Sequence, residues 1–280
     1  MEKPALPSAQ LADTPRPERR RDFAPNATIV ERDDYTPLIA RYVVRPDGAV
    51  PPFEPGQYFS LGVEMDGRFI LRPYSTASPR GTSQALEFLI RHVTRGLFTP
   101  VLWQASVGDR VWLGPPKGFF TLTPADRRTH LLVSSGTGIA PFMSMLGDLL
   151  DGPPLDQARS SSAGRRIVVA HGVSYASELS YRSRLEREAA ANPGLVYAPT
   201  VSRPDDPAND GWPGRTGRIE SILTGLCHEL QLDPADTVAY LCGNPEMVAR
   251  SREILRGLGL APEAIVHENY WPATATATAT

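Results

Sequence analysis

The residues best placed to do chemistry lie between Leu131 and Leu150, LLVSSGTGIAPFMSMLGDLL, where an apolar run breaks at two glycines and restarts with a proline. Leu131, Leu132 and Val133 read as a buried strand. Gly136 and Gly138 read as a turn that lets bare backbone approach a ligand, and Pro141 as the first residue of a helix. Phe142, Met145, Leu146, Leu149 and Leu150 recur at helical spacing and make one apolar stripe suited to a sheet. A strand that runs through a glycine turn into a helix start presents unpaired N–H groups and the positive end of a helix dipole, which suits a phosphate. The spacing is GxG followed by Ala140-Pro141, neither GxGxxG nor a P-loop ending in Lys-Ser/Thr. Taken alone, it fits a tight turn without a ligand equally well.

The elements around this turn set its context. Strand-like runs at 130–134, 167–171, 195–201 and 237–242 alternate with helical runs at 141–150, 177–191, 218–226 and 245–258. Such alternation specifies βαβ units and a parallel sheet with helices on both faces. Ligands of such sheets gather beyond the carboxyl ends of the strands. Three more of those ends carry His171-Gly172-Val173-Ser174, Val201-Ser202-Arg203-Pro204 and Cys242-Gly243-Asn244-Pro245. The last repeats the glycine-then-proline pattern of the first, and two such turns in one sheet favour a nucleotide.

Upstream, from about Asn26 to Thr123, the pattern is that of antiparallel β structure. Runs at Leu38–Val44, Tyr58–Val63, Leu86–Val93 and Arg110–Leu113 are divided by turn residues at 46–49, 54–56, 66–67, 79–81 and 107–109. Regular turn chemistry of this kind reads as a small barrel, with a helical turn at Phe98–Gln104. The expected organisation is a disordered tail over 1–25, rich in Pro and Arg, and a β-barrel domain over 26–125. An α/β domain follows over 126–272, with a surface loop at Asp151–Arg165, and a low-complexity Ala-Thr tail occupies 273–280.

Composition bounds the function. At 280 residues, 41% hydrophobic and 21% charged, the chain has room for two globular domains. A net charge of −2 argues against nucleic-acid binding. Lys3 and Lys117 are the two lysines, so positive charge is carried almost wholly by arginine, which suits planar contacts to phosphates and carboxylates. The two cysteines, Cys227 and Cys242, form no CxxC or Cys/His cluster, and no metal site is expected. With no long apolar segment and no signal peptide, the expectation is a cytoplasmic protein that does not enter a membrane, with both thiols reduced.

Six motifs in register resemble the ferredoxin–NADP reductase family, most closely its bacterial type. They are Arg72-Pro73-Tyr74-Ser75, Gly96-Leu97-Phe98-Thr99, Gly118-Phe119-Phe120, Gly136-Thr137-Gly138-Ile139-Ala140-Pro141, Cys242-Gly243-Asn244-Pro245 with Met247, and Glu268-Asn269-Tyr270-Trp271. The resemblance spans about Asn26 to Trp271. It implies an FAD-binding antiparallel β-barrel followed by a Rossmann-like NADP-binding α/β domain, with hydride crossing the cleft between them.

On this resemblance Arg72 pairs with the flavin pyrophosphate, Tyr74 packs on the isoalloxazine and Ser75 offers its hydroxyl to flavin N5. Leu89, Ile90, Arg91 and Val93 lie beside the flavin, and Gly96 to Thr99 open a short helix onto its second phosphate. Thr137, which also touches FAD, and the backbone of Gly136, Gly138 and Pro141 hold the NADP pyrophosphate, while Cys242, Gly243, Asn244, Pro245 and Met247 also bind NADP, with Cys242 packed at the transfer point. Ser202, Arg203 and Arg218 match positions that bind the 2′-phosphate, which implies NADPH over NADH. Relatives often carry arginine where this chain has Ser174, a departure that implies either that Arg215 substitutes or that the preference for NADPH is softer. Tyr270 and Trp271 cover the flavin, and Glu268 relays protons toward Ser75.

The implied activity is that of a monomeric flavoenzyme exchanging electrons with a ferredoxin or flavodoxin. One alternative on the same fold is an NAD(P)H diaphorase, a flavin reductase or the reductase component of an oxygenase. Another, outside catalysis, is a nucleotide-binding, electron-channelling subunit of a larger complex.

Overall fold

The computed structural model describes residues 24–123, 126–150 and 166–270. The expectations for the two tails, for the 151–165 loop and for Trp271 fall outside these residues, apart from Ala24 and Pro25. In the first half, β1 (Ala27–Thr36), β2 (Ile39–Pro46), β3 (Tyr58–Met65), β4 (Arg68–Ser75), β5 (Leu86–Arg91) and β6 (Arg110–Lys117) form an antiparallel sheet in the order β4-β3-β6-β1-β2-β5. A bridge from Thr76 to Phe88, with the Ala77 N–H donating to the Glu87 carbonyl at 2.8 Å, joins the two outer strands. The sheet therefore closes on itself as a barrel, which removes its edges. Short α1 (Thr99–Gln104) follows β5 and drives Leu102 into the barrel core beside Phe98, Phe59 and Phe88.

The second half carries β7 (Thr129–Ser135), α2 (Ala140–Leu150), β8 (Ile167–Val173), α3 (Arg182–Ala191), β9 (Leu195–Val201), β10 (Arg215–Thr216), α4 (Ile219–Glu229), β11 (Thr237–Gly243), α5 (Pro245–Gly257) and β12 (Ile265–Asn269). Its strands pair in parallel in the order β10-β9-β8-β7-β11-β12. Because successive side chains of a strand point to opposite faces, Leu132, Val169 and Tyr240 pack under α2 and α3. Leu131, Val133, Val168 and Leu241 pack under α4 and α5.

Three helical features differ from the sequence reading. The helix after β7 starts at Ala140, one residue before Pro141, and is preceded by a 3-10 turn over Gly136–Ile139. The helical run at 177–191 is interrupted: a 3-10 turn at Ala176–Glu178 is separated from α3 by Tyr181, whose φ of 62° is left-handed. Finally, α2 is not a helix with one apolar stripe. Met143 and Ser144, off that stripe, are as buried as Phe142.

The physical reason is that α2 is covered by the sheet on one side and by the barrel on the other. Ile39, Ala77, Leu89 and Phe120 of the barrel belong to the same packed cluster. The approach needs glycine twice. A Cβ on Gly147 would lie 2.7 Å from the Pro79 side chain, and one on Gly56 would lie 2.6 Å from the Met145 methyl and collide with the Phe120 carbonyl. Arg80 ties the rim of this contact by pairing with Asp148 of α2 at 2.8 Å and with Glu54 at 2.6 Å. The two halves are thus one packed body, with a cleft where the barrel meets the ends of the parallel strands.

Candidate active site

After β7 the chain builds outward through β8, β9 and β10, then returns to β11 on the other side, so the carboxyl ends of β7 and β11 diverge. That switch point is where parallel sheets open a crevice. Both glycine turns sit there. Gly136 takes a φ of 54°. A Cβ on Gly138 would collide with the carbonyl oxygen of Cys242 and lie 2.9 Å from the Gly243 Cα. Gly243, at φ 141°, leaves no room for a Cβ against Ser135. The Ser135 hydroxyl accepts from the Asn244 N–H at 3.0 Å, and the Asn244 side chain caps α5 by accepting from the N–H groups of Glu246 and Met247. Pro245 occupies the first turn of that helix.

Beneath the first turn lies His171, fully buried, its Nε2 2.9 Å from the Gly136 carbonyl. A hydrogen bond to a carbonyl requires Nε2 to carry the proton, so the imidazole is the neutral ε tautomer. Burial pulls its pKa down to about 4. The unfolded chain, with an ordinary histidine near 6.5, binds more protons than the native state between those values, so stability falls as pH drops from 6.5 toward 4. The loss is about 3 kcal/mol. His171→Gln, which keeps a donor for Gly136, is expected to flatten this acid limb in urea titrations at pH 7 and 4.5. An unchanged limb would show that His171 does not cause it.

Between the turns opens a cavity of about 350 Å³ lined by Ser135, Gly136, Thr137, Gly172, Val173, Ser174, Ser202, Arg218, Gly243, Asn244 and Met247, with Arg91 and Tyr270 at the barrel side. Two carboxylates that the sequence reading passed over also line it, Glu178 and Glu220. Glu178 is buried; it accepts from the N–H groups of Ser174 at 3.0 Å and Tyr175 at 3.3 Å and pairs with Arg91 at 3.2 Å. Arg91 therefore reaches across the cleft from β5 to the sheet domain. In the sequence Glu178 is only an acidic residue near the start of the helical run at 177–191.

Of the residues matched to a 2′-phosphate, Ser202 and Arg218 line the cavity and Arg203 does not. The Arg203 guanidinium lies over the Tyr175 ring and donates to its hydroxyl at 2.6 Å. Arg215 pairs with Glu229 at 2.5 Å and is not among the residues lining the cavity.

At the domain junction, Ser75 at the end of β4 donates to Glu268 of β12 at 3.2 Å, across 193 residues of sequence. Glu268 lies beside Cys242 in strand register. Burial raises the Glu268 pKa above the usual carboxylate range, and the hydrogen bond from Ser75 offsets part of that shift. Cys242 is completely buried, which pushes its thiol well above its ordinary value, with the neighbouring Glu268 adding to the shift. It is a neutral packing group rather than a thiolate. The Tyr270 hydroxyl reaches both Cys242 and Ser75, and its backbone N–H donates to the Gly243 carbonyl at 2.9 Å.

On the barrel side, Arg72 of β4 is half-buried and, among the described residues, donates to its own neighbour, the Leu71 carbonyl, at 2.8 Å. Tyr74 packs on Phe98 with ring centroids 5.5 Å apart. Phe98, Leu89 and Ile90 are core residues, so the last two can serve a ligand through backbone alone. The Thr99 hydroxyl is committed to Val93, accepting from its N–H at 2.9 Å and donating to its carbonyl at 3.0 Å. It closes the 93–99 loop just ahead of α1.

That loop, with Gly96, exposes Val93 at 40% and Leu97 at 55%, while Phe119 beside Gly118 is 98% exposed. Exposed apolar side chains on these two loops, with an arginine on β4, are the kinds of group that hold a large planar ring system carrying phosphates, so the residues suit a flavin. The glycine turns and the serine- and arginine-lined cavity fit a second dinucleotide.

Fold and site together define a two-domain oxidoreductase that binds a flavin and a pyridine nucleotide. Residues 29–122 match the model of the oxidoreductase FAD-binding domain, and residues 132–253 that of the oxidoreductase NAD-binding domain. The ferredoxin–NADP reductase of Azotobacter vinelandii is 32% identical over 223 residues, covering 74% of this chain and 80% of that protein. The toluate 1,2-dioxygenase electron transfer component of Pseudomonas putida is 30% identical over 219 residues, 78% of this chain and 59% of that one. A crystal structure of a ferredoxin NADP+ reductase from Neisseria gonorrhoeae with bound FAD and NADP matches with a TM-score of 0.73 at 25% identity, over 88% of this chain and 98% of that one. The chain belongs to the ferredoxin–NADP reductase family, and its cofactors are FAD and a nicotinamide dinucleotide, NAD(P)(H). No helix among the described residues is long and apolar enough to cross a membrane.

Proposed function

We propose that the protein is a ferredoxin–NADP reductase, moving a hydride between NADPH and FAD N5 and single electrons to or from a ferredoxin or flavodoxin, as a monomer in the cytoplasm. The observation that carries this reading is the Ser75–Glu268 hydrogen bond at the junction of the two nucleotide-binding halves. A bound flavin supplies the conversion between two-electron and one-electron chemistry.

The chain's own groups supply the rest. Residues 26–125 hold FAD, with Arg72 on its pyrophosphate, Tyr74 and Ser75 against its ring, and the backbone of 89–99 alongside. Residues 126–272 hold NADP(H), with the backbone of Gly136, Thr137 and Gly138 on the pyrophosphate, Ser202 and Arg218 at the 2′-phosphate, and Gly243, Asn244 and Met247 by the nicotinamide. Glu268, whose pKa burial raises, can return a proton to the Ser75 hydroxyl as that hydroxyl gives up its own. Tyr270 and the buried Cys242 exclude water from the transfer point.

The similarity to a dioxygenase electron transfer component supports a second reading, a reductase that serves an oxygenase. A channelling subunit without catalysis would need no carboxylate paired with a hydroxyl between two nucleotide sites. The test is NADPH-dependent reduction of cytochrome c with and without added ferredoxin. The expected result is a rate that requires ferredoxin. Rapid reduction of free flavins or quinones, with no response to ferredoxin, would favour the diaphorase and remove the ferredoxin assignment.

A further inference from the structure

We propose that Glu220 sets how strictly the cleft prefers NADPH over NADH, by placing a carboxylate where the 2′-substituent of the adenosine ribose is held. The inference rests on the NADP(H) site proposed above.

The ends of β8 and β9 and the start of α4 converge at one end of the cavity. Ser202 N–H donates to the Val173 carbonyl at 2.9 Å, Gly217 N–H to the Val201 carbonyl at 2.8 Å, and Gly172 has no side chain because a Cβ there would lie 2.8 Å from that of Ile219. This close packing fixes the first turn of α4. Arg218 is the residue before that helix and Glu220 its second residue, where an acidic group is favoured by the helix dipole.

The two side chains differ in what holds them. Arg218 is 69% exposed and free to follow a ligand, whereas Glu220 is 7% exposed and fixed against the cavity. Their charged atoms are 4.0 Å apart. Among the described lining residues, Arg218 and Arg91 are the basic ones. Arg91 is paired with Glu178, and Arg203 and Arg215, which could have added charge, are engaged with Tyr175 and Glu229 outside the lining.

The lining at the end that would receive the 2′-phosphate therefore presents one arginine and one carboxylate. An arginine recognises a 2′-phosphate, and a carboxylate accepts a hydrogen bond from a ribose 2′-OH. Glu220 works against the first and for the second, so NADH is a competent donor for this protein alongside NADPH.

The experiment compares the FAD-loaded wild type, Glu220→Gln and Arg218→Ala. Calorimetric titration with 2′,5′-ADP and with 5′-AMP reads the subsite without turnover, and kcat/KM for NADPH and NADH with ferricyanide reads the preference. Removing a like charge beside the phosphate is expected to tighten 2′,5′-ADP binding in Glu220→Gln about tenfold. Binding of 5′-AMP, whose 2′-OH loses a charged acceptor, should weaken about twofold to threefold, and the NADPH:NADH ratio should rise by a factor of about ten or more. Arg218→Ala is expected to lower that ratio. A ratio and a 2′,5′-ADP affinity unchanged in Glu220→Gln would overturn the proposal and leave NADPH oxidation intact. A wild type that oxidises neither nucleotide would remove the functional reading instead, while the titrations would still decide the role of Glu220.

Discussion

Gly138→Ala is expected to lower kcat/KM for NADPH by about a hundredfold or more while FAD stays bound. The added methyl would meet backbone on the opposite turn: the Cys242 carbonyl oxygen first, its carbon at 2.7 Å and the Gly243 Cα at 2.9 Å. Backbone cannot swing aside as a side chain can, so the β7 and β11 turns must separate. The floor of the dinucleotide cleft moves with them, and an error of about 1 Å in placing reacting groups is enough to lose about two orders of magnitude. The barrel is not touched, so the flavin absorbance should survive. Gly136→Ala is the matched comparison. It meets nothing within 4 Å but sits at a φ of 54°, so it should lose about 1–2 kcal/mol of stability and much less activity. A Gly138→Ala protein with wild-type kcat/KM would show that the two turns do not have to touch.

Ser75→Ala should slow reduction of the bound flavin by NADPH about a hundredfold, the range of a positioned proton donor, without releasing FAD. Glu268→Gln should slow it as well, and for a reason that shows separately in stability. Burial holds the Glu268 pKa above that of an unfolded carboxylate. The native state is therefore favoured while Glu268 is protonated, and that contribution is lost as pH rises through the folded pKa. A glutamine carries no such penalty. Glu268→Gln should melt higher than wild type at pH 8 and gain nothing at pH 4, a stabilised but slower enzyme of the kind expected where function holds a group in an unfavourable state. Destabilisation at pH 8 would mean that the carboxylate is retained for structure.

These effects trace to residues that the sequence announces unequally. The β7 turn and α2 are legible because Gly-x-Gly, a helix-starting proline and an apolar run lie within twenty residues. The alternation of β8, β9 and β11 with helices is legible for the same local reason. β1 is not. Glu31, Arg32, Asp33 and Asp34 interrupt its apolar pattern, because the outer half of the strand faces solvent and its charges pair with Arg41 and with one another. β10, only Arg215–Thr216 long, and β12 are too short to show a period.

The pairing of Ser75 with Glu268 joins residues 193 apart and follows from family resemblance, not from any local pattern. The burial of Met143 and Ser144 depends on a barrel that no helical period encodes. Glu178 and Glu220 read as ordinary acidic residues at helix starts, since a sequence shows that a carboxylate can cap a turn and not that it also lines a cavity. Arg203 shows the converse: a basic residue at a strand end looks like a phosphate ligand until Tyr175 is seen to hold it.

The central claim, that a flavin on the barrel and a pyridine nucleotide on the sheet meet at Ser75, Cys242 and Glu268, is tested most directly by anaerobic stopped-flow mixing of the purified protein with NADPH, followed at the flavin absorbance band. The account predicts a yellow protein that bleaches within the mixing experiment, slowly in Ser75→Ala. A colourless protein that takes up no added FAD, or a yellow one whose colour NADPH leaves unchanged, would contradict it.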